Sequence, residues 1–226
     1  MLLHGNLMCW RQFEDIIPLL EKDFMAYAVS FDRFDGTGTT NLYNGVGQAD
    51  KLAEYVCAEC GWRLDMLFAE SIGCGPAVFL KSSPKVQVDH MILSGPEYLD
   101  FGIMNKPLLK IMPQNQYKTA HEKSMPAWVL KLMGQTERGN ADHDELYSGQ
   151  YQPGVSPRHM EAGLYLYRSD FPVQPDANVA CWYGEKEGHM KKAVQRLKKA
   201  YPKFTVCCFN GFRHGDIINP PELLVK

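Results

Sequence analysis

The sequence predicts an α/β protein with a mainly parallel sheet that is covered by helices on both faces. Short apolar runs alternate along the chain with longer amphipathic stretches, as is typical of strands joined by crossover helices. Polar residues stand where the predicted strands end, and ligands bind at the carboxyl ends of parallel strands. The 226 residues are enough for one sizeable domain.

The N-terminal part of the chain contains the first two predicted strands and the first two predicted helices. The helix at 10–22 follows from the helical spacing of its apolar residues, and a later helix ends at Gly61. In chain order, the elements are a buried strand at 1–5, the helix at 10–22, a strand at 24–32, a polar Gly-rich loop at 33–45 and a helix that begins at 48 and ends at Gly61.

The remaining core elements continue the alternation, but the middle of the chain interrupts it. We predict strands at 64–70, 88–96, 177–185 and 204–211, with helices at 73–83 and 189–202. The predicted domains are therefore a core formed by 1–96 and 176–226, and a short helical insertion at 97–175. An insertion at the ligand edge of a sheet is typical of a lid.

Composition excludes several classes of function. The formal net charge of -2 gives no electrostatic case for binding nucleic acid, and no apolar run is long enough to span a membrane. The N-terminus lacks the pattern of a signal peptide. The seven cysteines are scattered through apolar segments, which indicates reduced, mostly buried thiols and a cytoplasmic location.

No cofactor or metal motif stands out. Cys57 and Cys60 form a C-x-x-C within a predicted helix, without the second cysteine pair that a zinc site of this type needs. The Gly-rich loop at 33–45 lacks the Gly-Lys-Ser/Thr of a phosphate-binding loop. We therefore expect neither a metal nor an organic cofactor.

Ser71 lies in the stretch DMLFAESIGCGPA, between a predicted strand and a predicted helix. A serine on such a sharp turn projects its hydroxyl above the sheet and places the following backbone N–H groups at a helix N-terminus. The turn needs small residues two positions before and after the serine, and Ala69 and Gly73 meet this need. Ser71 is therefore a candidate nucleophile; alternatively, it caps a helix at 72–83.

A serine nucleophile needs a base, and a histidine base needs an acceptor for its second ring nitrogen. His214 follows the last predicted strand in a Gly-flanked loop, from which it can reach a serine on a central strand. Glu187 follows the penultimate strand and is the candidate acid, while Asp100 competes with it. Alternatively, His214 is an exposed loop residue and Glu187 is solvated near the start of the helix at 189–200.

The order nucleophile, acid, base along the chain is that of the α/β-hydrolase family, which the sequence resembles over nearly its whole length. LLHGNLMCW resembles the family's His-Gly oxyanion loop, and DRFDGTG resembles its Asp-x-x-Gly-x-Gly loop. AESIGCGPA resembles the nucleophile elbow, and YGEKE with GFRHGD resembles the acid and histidine loops. The resemblance implies a triad of Ser71, His214 and Glu187.

The same resemblance implies further site residues and a reduced sheet. The oxyanion donors would be the backbone N–H of Ile72 and one from Asn6 or Leu7. Ala69 replaces the first glycine of the family's elbow, and Glu187 stands where the family more often has aspartate. The chain starts at the strand before the oxyanion loop, which implies a shortened N-terminus and a sheet of about six strands.

The implied function is a serine hydrolase that cleaves a small or medium acyl ester through an acyl-enzyme intermediate. Met125, Trp128 and Tyr165 line an apolar substrate pocket under the lid, or simply pack the insertion onto the sheet. A peptidase, thioesterase or carbon–carbon bond hydrolase, or a non-catalytic ligand-binding member of the fold, remain alternatives. The expected partner is a small-molecule acyl substrate, and no pattern in the sequence sets an oligomeric state.

Overall fold

The computed structural model of the protein describes residues 1–6, 8–32, 34, 45–96, 107, 111, 174, 177–219 and 221–224. Within these ranges, six strands form one sheet in the order β2-β1-β3-β4-β5-β6, and each neighbouring pair is parallel. The prediction of a parallel sheet of about six strands is confirmed. The strands are β1 (Leu2–Leu3), β2 (Ala28–Val29), β3 (Arg63–Glu70), β4 (Gln87–Ser94), β5 (Asn178–Gly184) and β6 (Thr205–Phe209).

Helices cover both faces of this sheet. The described α-helices are α1 (Ile17–Leu20), α2 (Gly45–Glu59), α3 (Cys74–Ser82) and α4 (Met190–Ala200). Short 3-10 helices occupy Trp10–Phe13, Ser71–Gly73, Asp216–Ile218 and Pro221–Leu223. Helix α3 joins β3 to β4 and helix α4 joins β5 to β6, so these two parallel pairs have the crossover connections that this architecture requires.

The larger hydrophobic core lies between the sheet and helices α2, α3 and α4. Leu67 of β3 and Leu93 of β4 are fully buried there, and they face Leu80 of α3 and Leu197 of α4 across the same core. Because β3 and β4 lie in the middle of the sheet, their burial stabilises the strands that carry the polar residues described below.

The smaller core covers the opposite face and is built around Phe13 and Ile16 from the segment before α1. The ring of Phe13 is fully buried and meets Phe68 of β3 edge to face, with 6.1 Å between ring centroids. Ile218 from the C-terminal 3-10 helix joins the same cluster. The two ends of the chain thus pack together on one face of the sheet.

Three predicted elements near the N-terminus are clearly shorter than expected, and the first is the strand predicted at 1–5, which is reduced to Leu2–Leu3. The helix predicted at 10–22 is divided into a 3-10 helix at Trp10–Phe13 and α1, because Pro18 lacks the N–H that a continuous helix would need there. The strand predicted at 24–32 pairs only over Ala28–Val29. Its ladder ends because the Phe31 N–H donates instead to the His4 side chain, at 2.9 Å.

The cysteines are free thiols, but the expectation that most are buried is wrong. Only Cys74 and Cys181 are buried, whereas Cys207 and Cys208 are exposed. The last two lie on β6, which is at one edge of the sheet formed by the described strands and pairs there only with β5.

Several predictions fall on residues outside the described ranges. These are the helical insertion at 97–175, apart from three isolated positions, and the individual residues Leu7, Asp100, Met125, Trp128 and Tyr165. In the part of the chain that the structure describes, no helix is long and apolar enough to cross a lipid bilayer.

We expect Leu67→Ala to lower the free energy of unfolding by about 2–5 kcal/mol, because it opens a cavity beside a central strand. Met66→Ala is the matched control, since the neighbouring Met66 side chain is 37% exposed. Urea denaturation followed by circular dichroism measures both. Equal losses for the two variants would contradict the packing described for β3.

Candidate active site

The carboxyl ends of four strands meet at one edge of the sheet. Glu70, the last residue of β3, pairs with Ser94 of β4, and Ser94 pairs in turn with Trp182 of β5. Gly184, at the end of β5, pairs with Phe209 at the end of β6. The loops that follow these strands therefore begin side by side, although they are far apart in sequence.

Ser71 lies on the sharp turn directly after β3. Its φ of 50° is in the left-handed region, which side chains other than glycine rarely adopt. The turn packs closely against β1, since a Cβ at Gly73 would lie 2.8 Å from the carbonyl oxygens of Leu3 and His4. Ser71 does not cap the following helix, because the N-cap of α3 is Gly73. The alternative prediction of a helix cap is therefore wrong.

The Ser71 hydroxyl is joined to His214 and Glu187 by two hydrogen bonds. Ser71 Oγ lies 3.0 Å from His214 Nε2, and His214 Nδ1 lies 2.7 Å from Glu187 Oε2. The three side chains are nearly sealed from solvent, since Ser71 is 8% exposed and the His214 and Glu187 side chains are 10% and 1% exposed. The structure thus brings together the three residues that the sequence analysis singled out.

Glu187 is held as a carboxylate. Burial alone would raise its pKa, but the hydrogen bond and charge of His214 and the Gly184 N–H outweigh burial, so the pKa lies below its ordinary value. The Gly184 N–H donates to Oε1 at 2.7 Å, while Oε2 faces the imidazole. An ionised carboxylate can only accept, so the imidazole proton sits on Nδ1 and Nε2 is left to accept from Ser71.

The loop that carries His214 is bound along the end of β5. The N–H of Lys186 donates to the Phe212 carbonyl at 3.0 Å, and the Gly211 N–H donates to Glu185 Oε2 at 2.9 Å. A Cβ at Gly184 would lie 2.3 Å from the same Phe212 oxygen, so only glycine fits beneath this loop. These contacts direct the loop back across the sheet toward Ser71.

Gly95 follows β4 and passes directly beneath the imidazole. A Cβ at this position would lie 2.8 Å from His214 Nδ1 and 3.3 Å from Glu187 Oε2. Its φ of 55° is also in the region that favours glycine. The hydrogen bond between His214 and Glu187 therefore depends on the missing side chain at residue 95.

The loop after β1 approaches the same edge. His4 is fully buried, and its Nε2 accepts the Phe31 N–H while Nδ1 lies 2.7 Å from the Gly5 carbonyl oxygen. A backbone N–H can only donate, so His4 is neutral with its proton on Nδ1. Burial lowers its pKa to about 4. His4 thereby ties the start of this loop to the end of β2.

The predicted oxyanion donors lie on two segments. Ile72 follows Ser71 and is buried in the 3-10 helix Ser71–Gly73. Asn6 lies in the turn after β1, where the Met8 N–H donates to the Gly5 carbonyl at 3.3 Å. Leu7 is outside the described residues.

Sequence analysis did not find the supporting residues of this site. Gly184 lies within the YGEKE motif and Gly95 lies outside the motifs, but the sequence assigned neither glycine a role. Both roles follow from the atoms that a Cβ at each position would meet. Glu185 lies in the same YGEKE motif without a predicted role, yet its side chain holds the loop of His214. The sequence offered one signal for Gly95: it is a glycine near the end of a predicted strand, and it precedes the predicted insertion by two residues.

The arrangement can activate an alcohol. A neutral imidazole can take the hydroxyl proton, and a buried carboxylate on its other nitrogen stabilises the imidazolium that forms. Within the described residues, no group of three or more histidine, cysteine, aspartate or glutamate side chains could hold a metal ion.

Comparisons with known proteins agree with this architecture. No family model matches the sequence, and no curated protein sequence is significantly similar to it. Solved structures are similar over 99% of the chain, among them an alpha/beta hydrolase family protein from Desulfitobacterium hafniense with a TM-score of 0.80, 18% identity and 91% of that chain covered.

Two further structures are enzymes by description. A crystal structure from work on the carboxylesterases of Nitrososphaera gargenis matches this chain with a TM-score of 0.71 at 15% identity, and the match covers 99% of this chain and 85% of that chain. An esterase from Exiguobacterium antarcticum gives 0.70 at 16% identity, with 99% and 89% covered. At these identities, the likeness shows the fold: the chain has the α/β-hydrolase fold, as the resemblance in the sequence implied.

We expect Gly95→Ala to separate His214 from Glu187, because the added methyl group would occupy the space of the imidazole. Gly188→Ala is the matched control, since a Cβ there meets nothing within 4 Å. The His214 Nδ1 proton, observed by NMR as a strongly deshielded resonance, should disappear only in Gly95→Ala. An unchanged resonance in that variant would contradict the close approach.

The buried, neutral His4 should make stability depend on pH. Its pKa is lowered from 6.5 to about 4, so the unfolded chain takes up a proton in this window while the native chain does not. Stability is therefore lost as pH falls. We expect the stability advantage of the wild type over His4→Gln to shrink by about 2 kcal/mol between pH 7 and pH 5.

Urea denaturation at both pH values measures this difference. His90→Gln is the control for the loss of an imidazole, since His90 is exposed on β4. An advantage that stays constant over the window in the His4 comparison would show that His4 is not buried as a neutral residue.

Proposed function

We propose that this chain, which has the α/β-hydrolase fold, is a serine hydrolase that cleaves a small or medium acyl ester through an acyl-enzyme intermediate. The observation that carries the proposal is the continuous path from Ser71 Oγ to His214 Nε2 and from His214 Nδ1 to Glu187 Oε2, at 3.0 Å and 2.7 Å. Ser71 begins this path from a strained turn at the ligand edge of the sheet.

In the proposed reaction, Ser71 Oγ attacks the ester carbonyl carbon while His214 Nε2 takes the hydroxyl proton. The oxygen of the tetrahedral intermediate accepts hydrogen bonds from the backbone N–H of Ile72 and from that of Asn6 or Leu7. Such donors are worth about 3–4 kcal/mol in hydrolases of this kind. His214 then protonates the departing alcohol, and Ser71 keeps the acyl group.

The second half of the reaction uses the same residues. A water molecule gives a proton to His214 and attacks the acyl carbonyl, and the proton returns to Ser71 Oγ as the acid leaves. Glu187 remains a carboxylate throughout, since its two oxygens are held by the Gly184 N–H and the imidazole. Neither a metal nor an organic cofactor takes part in this scheme.

The choice of an ester rests on the solved structures of the same fold that are described as esterases or carboxylesterases. The same chain of groups serves a peptidase, a thioesterase or a carbon–carbon bond hydrolase, which differ in the leaving group and not in the nucleophile. A cytoplasmic location is part of the proposal, because all seven cysteines are free thiols.

A fluorophosphonate probe tests the nucleophile, because it reacts with activated serines. We expect labelling of the wild type and of Ser82→Ala, in which the replaced hydroxyl bonds the Phe79 carbonyl at the far end of α3. Ser71→Ala and His214→Ala should abolish labelling with the fold intact by circular dichroism. Hydrolysis of p-nitrophenyl esters of graded chain length should fall by about 10⁶-fold in both.

The acid is tested separately. Glu187→Gln should lower kcat by about 10⁴-fold, because an amide can no longer stabilise the imidazolium. Asp100→Asn is the control, since Asp100 is the competing acid of the sequence analysis and is expected to leave kcat unchanged. A loss confined to Asp100→Asn would contradict the assignment of Glu187. A wild type that neither reacts with the probe nor cleaves an ester would contradict the hydrolase itself.

A further inference from the structure

Gly5 is held at both of its backbone groups by side chains. Its N–H donates to Gln12 Oε1 at 2.7 Å. Its carbonyl oxygen accepts from His4 Nδ1 at 2.7 Å and from the Met8 N–H at 3.3 Å. A glycine in a loop is otherwise the most mobile of residues, so these three bonds give Gly5 a fixed orientation that its own conformational preferences do not supply.

The side chain that holds the Gly5 N–H belongs to a well-anchored segment. Gln12 lies in the 3-10 helix Trp10–Phe13 and directly precedes Phe13, which is fully buried against Phe68 of β3. β3 is also the strand that ends at Ser71. Gln12 therefore reaches Gly5 from an element whose position is set by the nucleophile strand.

Gly5 stands beside the nucleophile turn. β1 pairs with β3 so that Leu3 lies opposite Ala69, and a Cβ at Gly73 in the nucleophile turn would lie 2.8 Å from the carbonyl oxygen of His4, the residue before Gly5. The Glu70 side chain approaches Gly5 as well, with Cγ 3.6 Å from where a Cβ of Gly5 would be. A small movement of Gly5 would therefore disturb the packing of Glu70, the residue that directly precedes Ser71.

Fixing Gly5 also fixes the next amide. The Gly5 carbonyl and the Asn6 N–H belong to one planar trans peptide unit, in which they point in opposite directions. The bonds that hold the Gly5 carbonyl therefore aim the Asn6 N–H the other way. Gln12 restrains the preceding peptide unit, so that the chain cannot turn about Gly5 and carry the Asn6 N–H with it.

We propose that Gln12 is a positioning residue for the oxyanion site: by accepting the Gly5 N–H, it holds the Asn6 amide where the tetrahedral intermediate needs a donor. This inference rests on the proposed function. Gln12 touches neither the substrate nor Ser71 in this scheme and acts only through Gly5. Because the oxyanion is a strong acceptor only in the transition state, the loss of Gln12 affects kcat and not substrate binding.

Gln12→Met tests the proposal, since it keeps the length of the side chain and removes the amide oxygen. We expect kcat for an ester to fall by about tenfold to a hundredfold, with KM within about twofold of the wild type. The affinity for a trifluoromethyl ketone, which forms a tetrahedral adduct with the serine, should fall by the same factor as kcat. Hydrogen exchange of the Gly5 amide, followed by NMR, should become faster.

Gln174→Met is the matched control. Gln174 is a part-buried glutamine whose side chain donates to the Lys81 carbonyl at 3.3 Å, near the C-terminal end of α3. Its replacement removes a comparable hydrogen bond and should leave kcat and Gly5 exchange unchanged. If Gln12→Met does not fold, Gln12→Asn replaces it, because the same amide on a side chain one carbon shorter no longer reaches Gly5.

The outcomes separate the two proposals. A folded Gln12 variant with wild-type kcat, or with an equally protected Gly5 amide, overturns the role of Gln12 and leaves the hydrolase standing. A rise in KM alone also overturns it, because that change would place Gln12 in substrate binding. A wild type that neither turns over esters nor reacts with fluorophosphonate overturns both.

Discussion

The parallel direction of all the described strands is the constraint on which the site depends. Because β3, β4, β5 and β6 all end at one edge of the sheet, the residues that follow these strands are close in space although they are far apart in sequence. An antiparallel neighbour would have sent its loop to the opposite edge. The register of the strands aligns their ends, since Glu70, Ser94 and Trp182 lie opposite one another on neighbouring strands.

Glycines allow the loops to use this alignment. The loop after β6 brings the imidazole of His214 back toward β3, and the backbone beneath the imidazole must carry no side chain for it to fit. Gly184 accepts the close passage of Phe212, and Gly95 accepts the imidazole itself. Gly73 lets the nucleophile turn press against β1. In each case the glycine supplies space that a side chain would fill, and Gly184 also donates its N–H to Glu187.

Sequence reasoning identified Ser71, Glu187 and His214 because each residue type has a distinct chemistry and each follows an apolar strand. It identified the long strands β3, β4 and β5 for the same reason, since a buried parallel strand is a continuous apolar run. The brief β2 could not be bounded, because its end is set by a bond between Phe31 and His4. Such a bond between residues distant in sequence leaves no local pattern.

The supporting roles were hidden for a related reason. In the sequence, Gln12 resembles any polar residue on an amphipathic helix, and its contact with Gly5 joins two segments whose relative placement no local pattern gives. Cys207 and Cys208 are exposed because β6 lies at an edge of the described sheet, and composition does not reveal the position of a strand in the sheet. Strand order is a property of the whole chain, whereas periodicity is local.

The left-handed backbone of Ser71 has a consequence for how this position can change over generations. A residue with a side chain pays of order 1 kcal/mol or more for such a conformation, and glycine would not. Selection for stability alone would thus favour glycine at position 71 and erase the hydroxyl. The backbone conformation of this turn and the hydroxyl that it carries therefore favour different residues at position 71.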